Sequence, residues 1–111
     1  MMRTALFALA AIAFQLPGGR SVDPGFAIHM ISPGASESAA VADVDGDGRV
    51  DVISGDSWYR APDWTPHRFR DVGFSGGYID SFSLLPVDVD GDGHVDVVDV
   101  SWFAKRIAWW R

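Results

Sequence analysis

Two short stretches hold most of the chemistry available to this chain. In V-A-D-V-D-G-D-G-R-V-D-V-I, the aspartates Asp43, Asp45, Asp47 and Asp51 fall within nine residues. In P-V-D-V-D-G-D-G-H-V-D-V-V, Asp88, Asp90, Asp92 and Asp96 repeat that spacing, 45 residues on from Asp43 to Asp88. Carboxylates this dense repel: at roughly 4 Å a pair costs ~4 kcal/mol at a near-surface dielectric. The spacing D-x-D-x-D-G-x-x-D gives the repulsion a use. Positions 1, 3 and 5 place side-chain oxygens on one side of a tight loop. Glycine at position 6 (Gly48, Gly93) permits the sharp bend, often at positive φ. Position 7 (Arg49, His94) can offer its backbone carbonyl, and Asp51 and Asp96 at position 9 close the site. Val50 and Val95, between them, can anchor the loop in a core.

Hard oxygen ligands in this number favour calcium over zinc or copper. Magnesium fits less well, because it demands tighter octahedral geometry and keeps more water. The expected cofactor is therefore Ca2+, held by Asp43, Asp45, Asp47, Arg49 and Asp51 in one loop. Asp88, Asp90, Asp92, His94 and Asp96 would hold it in the other. Two such ions would move the formal charge from −6 to about −2. A single D-G-D-G stretch would read as a solvated acidic turn; two copies, each with the position-6 glycine, argue against that.

The remaining residues offer little other chemistry. His29, His67 and His94 are scattered, with no H-x-x-x-H spacing. Asp56-Ser57 and Asp80-Ser81 have no histidine at a meaningful distance in sequence, so no hydrolase triad is indicated. Neither G-x-x-x-x-G-K-[ST] nor G-x-G-x-x-G occurs. No catalytic constellation is therefore expected in this chain. Without cysteine there is no disulfide framework or thiolate zinc site. A formal charge of −6 argues against nucleic acid as a partner. The tryptophans and tyrosines read as packing residues, with a stacking platform for sugars as the functional alternative.

The elements that must position the loops read as β. Runs rich in Val, Ile, Phe, Trp and Tyr, separated by turn residues, predict strands over 26–31, 38–42, 50–54, 57–60, 67–71, 81–87, 95–101 and 106–110. Pro62, Pro66 and the stretch from Gly73 to Gly77 read as links. The similarity of the two units extends beyond the loops: Ser38 matches Ser83, and Trp58-Tyr59-Arg60 resembles Trp109-Trp110-Arg111, with six extra residues in the second unit. A period near 45 with about four strands per unit is the pattern of a propeller blade. The expected fold is all-β, with about two blades: a first over about 26–66 and a second over about 67–111. Propellers use ~4–8 blades, so the chain reads as a fragment of a larger propeller.

Ahead of these repeats, M-M-R-T-A-L-F-A-L-A-A-I-A-F-Q-L-P-G-G has a basic start, an apolar run and a Pro-Gly-Gly break. That predicts a signal peptide over 1–19, with the repeats occupying 20–111. The apolar run is shorter than the ~20 residues of a spanning helix, so no stable membrane span is expected. The expected location is secreted, periplasmic or cell-surface.

The stretches A-V-A-D-V-D-G-D-G-R-V-D-V-I-S-G-D-S-W-Y-R and S-F-S-L-L-P-V-D-V-D-G-D-G-H-V-D-V-V-D-V-S-W resemble the FG-GAP/VCBS repeats of integrin-α-like β-propellers. The likeness runs from about Phe26 to the C-terminus, and is closer to the VCBS-like branch. It implies calcium bound within each blade, by the two sets of four aspartates and by the carbonyls of Arg49 and His94. It also implies an extracellular module for protein or carbohydrate binding. An alternative is a dockerin-like interaction module, because Asp99 stands twelfth in the second loop. Another is the propeller part of a lyase or hydrolase whose catalytic residues lie outside this chain. An EF-hand would want Glu at position 12, where Ser54 and Asp99 stand, and helical flanks. A dehalogenase-type phosphatase motif would want Thr or Val in place of Asp47.

Overall fold

A computed structural model describes residues 23–111; the expected leader over 1–19 lies outside them. Every regular element among the described residues is a strand, and all pairings are antiparallel. The first sheet has the order β1 (Ala39–Ala42), β2 (Asp51–Ser54), β3 (Ser57–Arg60), β4 (Thr65–Arg68). A small hairpin follows, β5 (Phe74–Ser75) with β6 (Tyr78–Ile79). The last sheet has the order β7 (Ser83–Val87), β8 (Asp96–Ser101), β9 (Arg106–Trp110). The all-β expectation holds, and each acidic loop sits between the first two strands of its sheet.

Three stretches differ from expectation. Residues 26–31 form no strand: Phe26 to Met30 are all exposed, and no strand among the described residues pairs with them to take their backbone groups. The strand expected over 67–71 is β4, which ends at Arg68. The N–H groups of both Phe69 and Arg70 donate to the Asp56 carbonyl, which ends the ladder. The glycine-rich link contains the β5–β6 hairpin. Gly76 and Gly77, at φ 60° and 87°, form its two-residue turn, which positive φ at both central positions suits.

The six extra residues of the second unit have a definite place. Ser54 pairs with Ser57 across a two-residue turn in the first sheet. The equivalent pair is Asp99 with Ala108, and two further pairs follow, Val100 with Ile107 and Ser101 with Arg106. Two extra pairs and a turn two residues longer account for the insertion. The register near the loops is unchanged: Val52 faces Tyr59 as Val97 faces Trp110.

The two large sheets pack β1 against β7, around Ile53, Leu84 and Val97, with Ala40, Ala42, Val44, Trp58 and Phe69 at the margin. Directly paired residues share a face of a sheet. In the first sheet Ala40, Ile53 and Trp58 therefore lie on one face. In the last sheet Leu84, Val97 and Asp99 lie on one face, and Leu85, Val98 and Trp109 on the other. Repeat positions show an alternation: Ala40, Ile53 and Trp58 correspond to Leu85, Val98 and Trp109. The sheets thus meet by opposite faces, one repeat's front on the next repeat's back. Leu85 and Trp109 are 54% and 44% exposed, so the last sheet's front face is open.

Candidate metal centre

Each loop leaves its first strand, bends through two glycines and re-enters the sheet at a buried aspartate. Gly46 and Gly48 stand at φ 74° and 85°, and Gly91 and Gly93 at 78° and 88°. An L side chain at these angles costs roughly 1–2 kcal/mol, so glycine here is a requirement of the bend. Asp51 and Asp96, at the start of β2 and β8, are completely or almost completely buried.

The backbone organises the carboxylates. Asp43 accepts from the Asp47 N–H at 3.0 Å and the Gly48 N–H at 2.8 Å, one on each oxygen. Asp88 accepts in the same way from Asp92 at 3.1 Å and Gly93 at 2.9 Å, and also from Gly91 at 2.6 Å. The position-3 residues, Asp45 and Asp90, each accept from the position-5 N–H at 3.2 Å. Position 9 accepts from the residue after position 1: Val44 N–H to Asp51 and Val89 N–H to Asp96, both 2.9 Å. Asp51 also accepts from the Ala61 N–H at 2.8 Å.

These bonds bring three carboxylates together in each loop. Oxygens of Asp43, Asp45 and Asp51 lie within 4.8 Å of one another, as do those of Asp88, Asp90 and Asp96. Either trio could hold a metal ion. Oxygens on opposite sides of a calcium ion stand about 4.6–5.2 Å apart, and those on a magnesium ion about 4.0–4.2 Å. A carboxylate oxygen that accepts one N–H keeps a second lone pair for a cation. The donor set therefore fits a hard divalent ion.

The remaining sequence candidates have other partners. Asp47 and Asp92 stand outside the trios, and each accepts from the N–H two residues on, Arg49 or His94, at 2.9 Å. Two residues not foreseen as part of the sites are Arg60 and Arg111. Arg60 bonds Asp45 through Nε and Asp47 through Nη2, the latter at 3.0 Å, and Arg111 bonds Asp90 through Nη2. The matched W-Y-R and W-W-R segments were the signal for them. Asp99, the twelfth residue of the second loop, lies outside the Asp88, Asp90 and Asp96 trio. It is buried and pairs with buried Arg70 at 2.9 Å.

The charge distribution follows from these bonds. Loss of hydration pushes the Asp45 carboxyl up, but the hydrogen bonds from Arg60 and the Asp47 N–H together outweigh it and leave it below the usual range. The Gly93 N–H, aided by those of Gly91 and Asp92, holds Asp88 low against partial desolvation. Both carboxylates are therefore ionised and ready for a cation at neutral pH. A cavity of about 500 Å³ lies elsewhere, with Met30, Val52, Tyr59 and Phe74 in its wall. No family model, curated protein or solved structure matches this chain.

Proposed function

We propose that the chain is an exported calcium-binding module of stacked β-propeller repeats, in which each ion is structural. The observation that carries this reading is the recurrence of one carboxylate trio, built by equivalent hydrogen bonds, at the same place in two sheets. An ion at each trio would tie the end of the sheet's first strand to the start of its second. The opposed-face packing supports the stacking of repeats, because it leaves an apolar front face on the last sheet for a further sheet to cover. The FG-GAP/VCBS-like spacing and the leader-like first nineteen residues support an extracellular role in binding protein or carbohydrate. The dockerin-like alternative wants helical flanks and a twelfth-position ligand. The loops here are flanked by strands, and Asp99 is engaged by Arg70.

Titration calorimetry on the full chain tests this. Two calcium sites are expected, with magnesium weaker, and calcium at a hundredfold its Kd should stabilise the fold by about 2.7 kcal/mol per site. Absence of calcium binding, or an unchanged melting temperature on chelation, would refute the structural ion.

A further inference from the structure

Each acidic loop is met by one arginine from the third strand of its own sheet. Arg60 ends β3 and Arg111 directly follows β9. Their distances along the chain from the loops differ by the six-residue insertion. The register cancels that difference: Tyr59 faces Val52, and Trp110 faces Val97, its repeat equivalent. The two arginines therefore reach equivalent points. Both bond the position-3 carboxylate, Asp45 or Asp90, on Oδ2, and those carboxylates belong to the metal trios. Arg60 also holds Asp47 Oδ2 at 3.0 Å.

We propose that Arg60 and Arg111 are built-in counter-cations that compete with the divalent ion for the position-3 carboxylate and so set the affinity of each loop. This rests on the calcium reading above. In the ion-free loop a guanidinium offsets part of the carboxylate repulsion through charge-assisted hydrogen bonds. A bound divalent ion supplies that positive charge itself and draws on the same carboxylate. The guanidinium stays protonated throughout the physiological range, so the competition is always present. Release is easy, because the side chains of Arg60 and Arg111 are 46% and 67% exposed and can turn into water. Arg60 clamps two carboxylates and Arg111 one, so the first loop carries the stronger competitor.

The test is calcium titration calorimetry on full chains carrying Arg60→Gln or Arg111→Gln, with melting temperatures read in chelator and in calcium. Arg106→Gln, in β9 and away from the loops, controls for the loss of one positive charge. Arg60→Gln should tighten one site about three- to tenfold, on the scale of exposed to charge-assisted ion pairs. It should also lower the melting temperature in chelator while leaving the calcium-loaded value unchanged. Arg60→Lys should return affinity toward the wild type, and Arg111→Gln should tighten the other site by a smaller factor. Wild-type binding with an affinity that Arg60→Gln leaves unchanged or weakens, or that Arg106→Gln raises equally, would overturn the counter-cation role and spare the metal site. A wild-type chain that binds no calcium would overturn both.

Discussion

In the first sheet the residue after Ile53 is Ser54, half-buried and paired with Ser57 at the end of a tight hairpin. At the same repeat position of the last sheet stands Asp99, buried, in a hairpin two pairs longer. The two loops are nearly superposable in their hydrogen bonds, and the hairpins that begin at this point differ in length. The loop's shape is therefore set by its own aspartates and glycines. The chain beyond the loop is free to serve the junction between sheets. Asp99 uses that freedom: it takes Arg70 on Oδ1, with the Ser81 hydroxyl at 2.7 Å. Arg70 in turn donates to the Gly55 carbonyl in the first sheet's turn, at 2.8 and 2.6 Å. One buried ion pair thus joins the β2–β3 turn to β8.

Truncation to alanine at the two positions should have very different effects. Asp99→Ala leaves the Arg70 guanidinium buried without its counter-ion, and should cost about 3–5 kcal/mol. Ser54→Ala removes only a hydroxyl bonded at 3.4 Å to the Ser38 carbonyl, and should cost less than about 1 kcal/mol. Chemical denaturation of the two variants measures both. Similar losses would mean that Asp99 is no more than another hairpin residue.

A second pair of substitutions separates the packed front face from the open one. Trp58 lies against the Ile53–Leu84–Val97 cluster and stacks on His67 with ring centroids 4.3 Å apart. Its equivalent, Trp109, is exposed beneath the Arg111 guanidinium, which lies 5.3 Å from the ring centroid. Trp58→Ala should cost about 2–3 kcal/mol, below the value for a fully buried tryptophan. Trp109→Ala should stay within about 0.5 kcal/mol. If Trp109→Ala is as damaging as Trp58→Ala in thermal denaturation, then a partner already covers the front face of the last sheet in solution.

The legible part of the molecule was the part whose cause is local. Alternation and turn residues marked β2, β3, β8 and β9 to within a residue, because each strand begins or ends at its own loop or hairpin. The D-x-D-x-D-G-x-x-D spacing marked the loops, since backbone N–H groups a few residues away aim the carboxylates. Non-local causes were not legible. Arg70 reads as part of a strand, but its N–H turns with that of Phe69 to the Asp56 carbonyl, and its side chain is buried against Asp99, 29 positions on, so β4 stops at Arg68. Residues 26–31 have strand-like composition, yet a strand needs a neighbour, and composition does not say whether one is present. Arg60 lay in a visible repeat, but its role became clear only from the register that carries it to Asp45 and Asp47.

The smallest difference lies between the two buried aspartates, and it separates the loop's scaffold from its metal-holding role. Asp51 accepts two backbone N–H groups, those of Val44 and Ala61, on different oxygens. Among the described residues Asp96 accepts one, from Val89. An asparagine at position 51 has a single carbonyl oxygen, so one of the two donors must face an amide NH2 group. At position 96 the amide oxygen can keep the Val89 bond and turn its NH2 aside. Both substitutions remove one negative charge from a crowded trio, so the charge relief largely cancels between them. In chelator, Asp51→Asn should therefore be less stable than Asp96→Asn by about 1 kcal/mol, the worth of one hydrogen bond. In calcium both should weaken their own site. Equal stabilities in chelator would show that the Ala61 contact contributes nothing, and would leave the two loops energetically alike without an ion.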